Sequence, residues 1–282
     1  MNQSIFYIFN ENGLFKRPAD IFYLHDSSET FKKSPRVFTT FKANYTSSRG
    51  GIFITGFSNH LQRLINSGLN FKLEFTTEFE RQLYFFKETL IRLLKEFFVD
   101  NSNQSCKVRM VLSTDELQIY IENFNSHLKI AEAVTLASYQ ATRPYPEHKT
   151  TLTEVCLQSL NFAKTKGSSE SLLLNEKNLV TETTWSNIFW VNSKQQLCTT
   201  EKNMLPGVSR ALILSKFPHI FKTPTLEELL DEAIEVFITK STIGITPVSA
   251  IDDHKFILNK SGKITDEIYQ WYLENELQSF IE

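Results

Sequence analysis

Lys149 stands in EHKTT, a polar stretch between an apolar segment and a helix start. A lysine amine can bond an aldehyde as a Schiff base and then carry a proton. Glu182 lies in LVTETTWSNIFWV, among strand-forming residues, where a carboxylate can hold a ring nitrogen protonated. LPGVSR at 205–210 places Gly, a β-branched residue and Ser at a helix start, whose orphan N–H groups favour a phosphate. STIG at 241–244 adds two hydroxyls and a Gly after a strand, and Arg63 adds a guanidinium on an amphipathic helix. Singly, each has a plainer reading: a surface lysine, an exposed strand residue, a helix start, a strand end, a surface ion pair. Taken in this order and together, the five supply what a pyridoxal phosphate site needs.

The elements that must position these residues are readable in outline. Ile5 to Phe9, Val37 to Ala43 and Ile52 to Thr55 are rich in strand formers, with a turn cluster NYTSSRGG at 44–51. Ser58 is expected to cap a helix carrying Leu61, Leu64 and Ile65. A second helix follows Thr77 and Glu80, which have capping-box spacing. CKVRMVLS and LQIYIEN then read as a hairpin about Thr114, Asp115 and Glu116, and Ile130 to Tyr139 as a strand. A helix is expected from Thr151, boxed with Glu154, to near Gly167. Short strands ESLLL, LVTET, NIFWV and LCTT follow, then a helix after LPG, one capped by Thr225, a strand EVFIT and a closing helix from about 264. The order fits two α+β domains, 1–122 and 130–282, joined by a polar loop at 123–129.

Composition narrows the class. The chain has 282 residues, with 41% apolar and 22% charged, so it can bury a sizeable core. A net charge of -2 gives no reason to expect nucleic acid or an anionic membrane surface as a partner. Cys106, Cys156 and Cys198 lie far apart without a CxxC pair, so neither a disulfide framework nor a metal centre is expected. MNQSIFYIFN shows no basic region followed by a long apolar run, and no stretch is long enough to span a bilayer. A cytoplasmic protein is the expectation.

VTETTWSNIFWV, LPGVSR, EVFITKSTIGITPV and HLQRL together resemble the motifs of the class IV aminotransferases, fold type IV pyridoxal-phosphate enzymes, over about Val37 to Ala250. The resemblance implies a D-amino-acid aminotransferase-like fold: a small N-terminal α/β domain, a short interdomain loop and a larger barrel-like domain, with the cofactor between the domains. It makes Lys149 the Schiff-base lysine and proton shuttle, and Glu182 the partner of the pyridine nitrogen. Arg63, Val208, Ser209, Ser241 and Thr242 would bind phosphate, while Ser186 and Asn187 would line or support the site. A homodimer is also implied. One stretch departs: where the family carries D-R-G…G-D-G, this chain reads LHDSSETFKKSPRVFTT.

Among the activities of that family, FTT at 38–40, HKTT at 148–151 and the lack of a Tyr after the lysine resemble aminodeoxychorismate lyase most. Such a lyase eliminates pyruvate from 4-amino-4-deoxychorismate to give 4-aminobenzoate for folate biosynthesis, and an aminodeoxychorismate synthase would supply the substrate. Thr39 and Thr40, with Thr55 behind them, are the expected hydroxyls near the leaving group, hence candidate catalytic residues. Arg109 and Arg143 are candidate cations for substrate carboxylates, unless both are solvated. The rivals are a branched-chain or D-amino-acid aminotransferase, and a non-catalytic homologue that only binds.

Overall fold

The computed structural model describes residues 4–19, 36–46, 51–73, 86–100, 104–114, 116–124, 132–256 and 263–278. The atypical 25–35 stretch, the Thr77–Glu80 box, Asp115 and most of the loop at 123–129 lie outside them. Contacts divide the chain into one unit of Met1–His127, Lys149–Leu152 and Asn275–Glu282, and another of Leu128–His148 and Thr153–Glu274.

The first unit is built on a six-stranded sheet. Its strands are β1 (Ser4–Asn10), β2 (Gly13–Arg17), β3 (Val37–Thr46), β4 (Gly51–Phe53), β5 (Ser105–Leu112) and β6 (Leu117–Asn123). The order is β2-β1-β6-β5-β3-β4, every pair antiparallel. Helices α1 (Phe57–Asn70) and α2 (Phe86–Asp100) bring Phe57, Leu64, Phe86, Leu90, Leu94 and Phe97 into one core with Val37, Phe41 and Ala43 of β3. Those strand residues are spaced by even steps, as a sheet with one helix-covered face requires. The even positions of β3, Phe38, Thr40 and Lys42, belong to the other face, where Phe38 joins Phe6, Val111 and Tyr120.

The second unit carries the rest. Its strands are β7 (Val134–Gln140), β8 (Glu170–Leu174), β9 (Val180–Thr183), β10 (Asn187–Asn192), β11 (Leu197–Thr200), β12 (His219–Lys222), β13 (Ala233–Lys240), β14 (Gly244–Ile251) and β15 (His254–Lys255). They run β12-β11-β10-β13-β14-β7-β8-β9, with β15 on β14. The sheet curls on itself: Thr200 Oγ1 on β11 donates to the carbonyl of Thr181 on β9, the far end of that path, at 2.6 Å. Its helices are α3 (Glu154–Thr165), which links the parallel pair β7 and β8, α4 (Val208–Lys216), α5 (Leu226–Glu232) and α6 (Lys263–Gln278). Both faces of β10 are buried. Ile188 and Trp190 enter one core with Val236 and Ile238, and Phe189 enters another with Phe237, Ile213 and Tyr272. That two-sided burial explains an apolar run without alternation.

Two helix starts differ from expectation. Gly56, at φ +65° in the left-handed region that glycine tolerates, precedes α1, and Ser58 lies inside the helix. Thr153 precedes α3 without a side-chain cap, so Thr151 and Glu154 form no capping box. Thr151 is held instead by Arg36. Thr225 does form its box, with Glu228.

Candidate active site

In the first unit, Lys149 is held by the backbone of β3. Phe38 N donates to Lys149 O at 2.8 Å, Thr151 N donates to Arg36 O at 2.9 Å, and Arg36 N donates to Thr151 Oγ1 at 3.2 Å. With the Val37–Thr150 bridge, these bonds make residues 149–151 a short antiparallel extension of the sheet. Lys149 Nζ lies 4.8 Å from the centroid of the Phe38 ring, and Arg109 Cζ lies 5.3 Å from the same ring. Both distances are in the range of a cation–π attraction.

The pleat of β3 parts the two threonines. Thr40 shares its face with Phe38 and stands in register with Arg109 of β5. Thr39 is fully buried against α1, where its Oγ1 lies 2.7 Å from His60 Nδ1 and accepts from Arg63 Nη2 at 3.1 Å. Its hydroxyl is engaged there and not on the Lys149 face. Thr55 is also buried, and its hydroxyl finds no partner among the described residues. His60 and Arg63 meet Thr39 because a spacing of three puts both on one face of α1. Burial, with the positive charges of Arg63 and Lys149 adding to it, pushes the His60 imidazole well below its ordinary pKa.

In the second unit, Glu182 is the centre. It is 4% exposed; Oε1 accepts from Arg143 Nε at 2.7 Å and Oε2 from the backbone N–H of Leu205 at 3.0 Å. Arg143 also donates to the carbonyls of Pro146 and His148, in the loop that leads into Lys149. The guanidinium expected to meet a substrate carboxylate is thus engaged with Glu182 and this loop.

The start of β10 fixes the turn that precedes α4. Asn187 Nδ2 donates to Leu205 O at 2.7 Å, which holds the LPG turn. A Cβ on Gly207 would lie 2.1 Å from Asn187 Oδ1, so any side chain there would force Asn187 to shift. Helix α4 then starts at Val208 with no side-chain cap and no acidic residue in its first turn, which leaves its N–H groups to an anion. The Ser209 hydroxyl is engaged, with Oγ 2.8 Å from Tyr272 OH. Ser241 and Thr242 lie half-buried in the three-residue loop between β13 and β14.

Glu170, which the sequence reading did not single out, ties these pieces together. Its carboxylate accepts from Thr183 Oγ1 at 2.6 Å, Trp185 N at 3.1 Å, Ser186 Oγ at 3.2 Å and Lys240 Nζ at 2.9 Å. The Ser186 hydroxyl is therefore engaged with Glu170. A charged residue opening the run SLLL was the available signal. Among the described residues no group of His, Cys, Asp and Glu could hold a metal, and no helix is long and apolar enough to cross a membrane.

The second unit holds a buried carboxylate compensated by an arginine and a helix N-terminus with no cap or acid, and the first holds a lysine whose backbone is bonded to a strand. These are the types of group that a protonated pyridine ring carrying an aldehyde and a phosphate requires. The fold is that of the fold type IV aminotransferases. It superposes on the branched-chain aminotransferase of Thermoproteus uzoniensis with a TM-score of 0.74, at 21% identity, over 98% of this chain and 96% of that one. A putative branched-chain amino acid aminotransferase from Thermotoga maritima also gives 0.74 at 21% identity, over 96% of each chain. The model of the amino-transferase class IV family matches residues 36–251, and the chain belongs to that family. Pyridoxal 5'-phosphate is accordingly its cofactor. Among curated relatives, a probable branched-chain-amino-acid aminotransferase of Aquifex aeolicus is 22% identical over 267 residues, 87% of this chain and 85% of that protein. A D-alanine aminotransferase of Listeria monocytogenes is 26% identical over 254 residues, 79% and 82%.

Proposed function

We propose that this chain is an aminotransferase that takes the amino group from a small amino acid and passes it to a keto acid. The observation that carries the reading is the pinning of Lys149 to β3, which sets its amine on the Phe38 face, and relatives named for branched-chain and D-alanine transfer support it. In this reading Lys149 bonds the cofactor aldehyde and moves the proton at the amine-bearing carbon of the substrate. Glu182, charge-compensated by Arg143, holds the ring nitrogen. Arg63, the amides of Val208 and Ser209, and the Ser241–Thr242 loop hold the phosphate. When bound, the cofactor supplies the electron sink that makes that carbon acidic. Arg109, beside the same Phe38 ring, is the cation for a substrate carboxylate. A homodimer completes the proposal.

A second reading rests on Thr40. Its hydroxyl shares a strand face with Phe38, and with FTT and HKTT it favours the lyase that converts 4-amino-4-deoxychorismate to 4-aminobenzoate and pyruvate. Thr40 would protonate the leaving group, and a synthase would deliver the substrate. Thr39, bonded to His60 and Arg63, has no part in that step.

One spectrum tests both readings. Purified protein with pyridoxal phosphate should show a visible band that Lys149→Ala loses. Bleaching to the near-ultraviolet on adding D-alanine, leucine or glutamate, with the keto acid released, supports transfer. A band that persists while aminodeoxychorismate yields pyruvate and 4-aminobenzoate supports the lyase instead. No band with the wild-type chain would overturn both and leave a binding protein.

A further inference from the structure

Thr39 has one hydroxyl and is fully buried between β3 and α1. Arginine only donates, so at 3.1 Å from Arg63 Nη2 the Thr39 oxygen is the acceptor. Its own proton must then go elsewhere, and the acceptor that the described residues offer is His60 Nδ1, at 2.7 Å. This fixes the imidazole as neutral with its proton on Nε2, a tautomer assigned from the network. A protonated ring would turn Nδ1 into a donor and leave the hydroxyl facing two donors, with nowhere to place its own proton. The surroundings of the ring agree: the positive charges of Arg63 and Lys149 disfavour a further charge on it, and the Phe41 ring lies 5.1 Å away.

We propose that Thr39 and His60 form a neutral relay that positions the Arg63 guanidinium for the cofactor phosphate, with His60 orienting the Thr39 hydroxyl and Thr39 orienting Arg63. The inference rests on the reading of Arg63 as a phosphate ligand. The relay gives Arg63 a fixed neutral acceptor, and that hydrogen bond sets where the guanidinium points. Thr39 and His60 touch neither phosphate nor substrate; they are positioning residues.

The test separates phosphate recognition from folding. The full-length chain, freed of cofactor, is titrated with pyridoxal phosphate and with pyridoxal, which lacks the phosphate, and the visible band is followed. Thr39→Val should weaken pyridoxal phosphate about tenfold, the size of one hydrogen bond to a charged group, and leave pyridoxal unchanged. Thr39→Ser should restore the affinity. His60→Asn, whose side-chain oxygen can accept as Nδ1 does, should keep it, whereas His60→Leu should lose it. With Arg63→Ala already present, Thr39→Val should cost nothing further. Equal losses for both ligands, or an undiminished loss in the Arg63→Ala background, would mean a merely structural hydroxyl and overturn the relay. Wild-type affinity in Thr39→Val overturns it too, with the cofactor reading intact. A wild-type chain that binds neither ligand overturns the cofactor reading itself.

Discussion

Two buried polar clusters lie in the two units, and they solve desolvation in opposite ways. Around Glu182 the charges cancel: a carboxylate 4% exposed meets the Arg143 guanidinium, and both also bond backbone groups. Around Thr39 the partners are a neutral hydroxyl and a neutral ring, and His60 Nε2 has no partner among the described residues. Cancelled charges make a rigid frame that breaks badly, because whichever partner survives is left buried and charged. A neutral relay breaks gently, since what survives can be neutral, but it depends on the histidine staying unprotonated. The first cluster suits a group that must hold a ring in one place. The second suits the orienting of a cation through a neutral acceptor.

The largest expected effect comes from the frame. Arg143→Ala should cost roughly 3–5 kcal/mol in denaturant unfolding of the cofactor-free chain, as breaking a buried pair does. The control lies in the same unit: the Lys222–Glu232 pair has side chains 32% and 25% exposed. Lys222→Ala should therefore cost less than about 1 kcal/mol. Similar losses for the two variants would show that burial of the Glu182 pair carries no special weight, and the contrast between the clusters would fall.

The same frame shows what a sequence can reveal. NIFWV announces a strand by β-branched and aromatic residues alone, and Thr225 with Glu228 announces a helix start, because both signals are local. Lys149, Glu182 and LPGVSR could be singled out because each lies in a short motif whose order is informative. The rest is carried by contacts distant in sequence. Thr151 looks like a helix cap beside Glu154, yet it bonds Arg36, 115 residues away, and serves as a strand. Thr39 and Thr40 are the same residue type side by side, and only the pleat of β3 against α1 decides which one meets Arg63. β2, β12 and β14 had no clear local signal: GLFKR and HIFK are short and mostly polar or exposed, and a Pro interrupts GITPVSAI. Arg143 was read as a substrate cation because its partner, Glu182, is 39 residues on.

The turn beside Glu182 offers a finer probe. Gly207→Ala places a Cβ 2.1 Å from Asn187 Oδ1, so Asn187 must leave its bond to Leu205 O. Overpacking of this kind costs roughly 1–3 kcal/mol. In an Asn187→Ala background the clash is gone, and the same glycine substitution should cost almost nothing. A double-mutant cycle on thermal unfolding reads the coupling; additive losses would mean that the LPG turn needs its glycine for some reason other than Asn187.

The smallest effect is the one that best isolates the neutral relay. His60 is pushed well below its ordinary pKa in the folded chain, chiefly by burial, while in the unfolded chain it titrates near about 6.5. Between those two values the unfolded state holds more protons, so acid favours unfolding. The stability that His60 contributes is fully present above about pH 6.5 and is lost as pH falls towards the folded value. For one proton the slope cannot exceed about 1.4 kcal/mol per pH unit. His60→Asn removes the titrating group yet leaves an acceptor for Thr39. Unfolding free energies measured from about pH 7.5 to 5 should therefore diverge, the wild type losing up to that slope more than the variant below about pH 6.5. If the two curves stay parallel, His60 takes up its proton inside the fold, and the Thr39 hydroxyl is not the donor in this cluster.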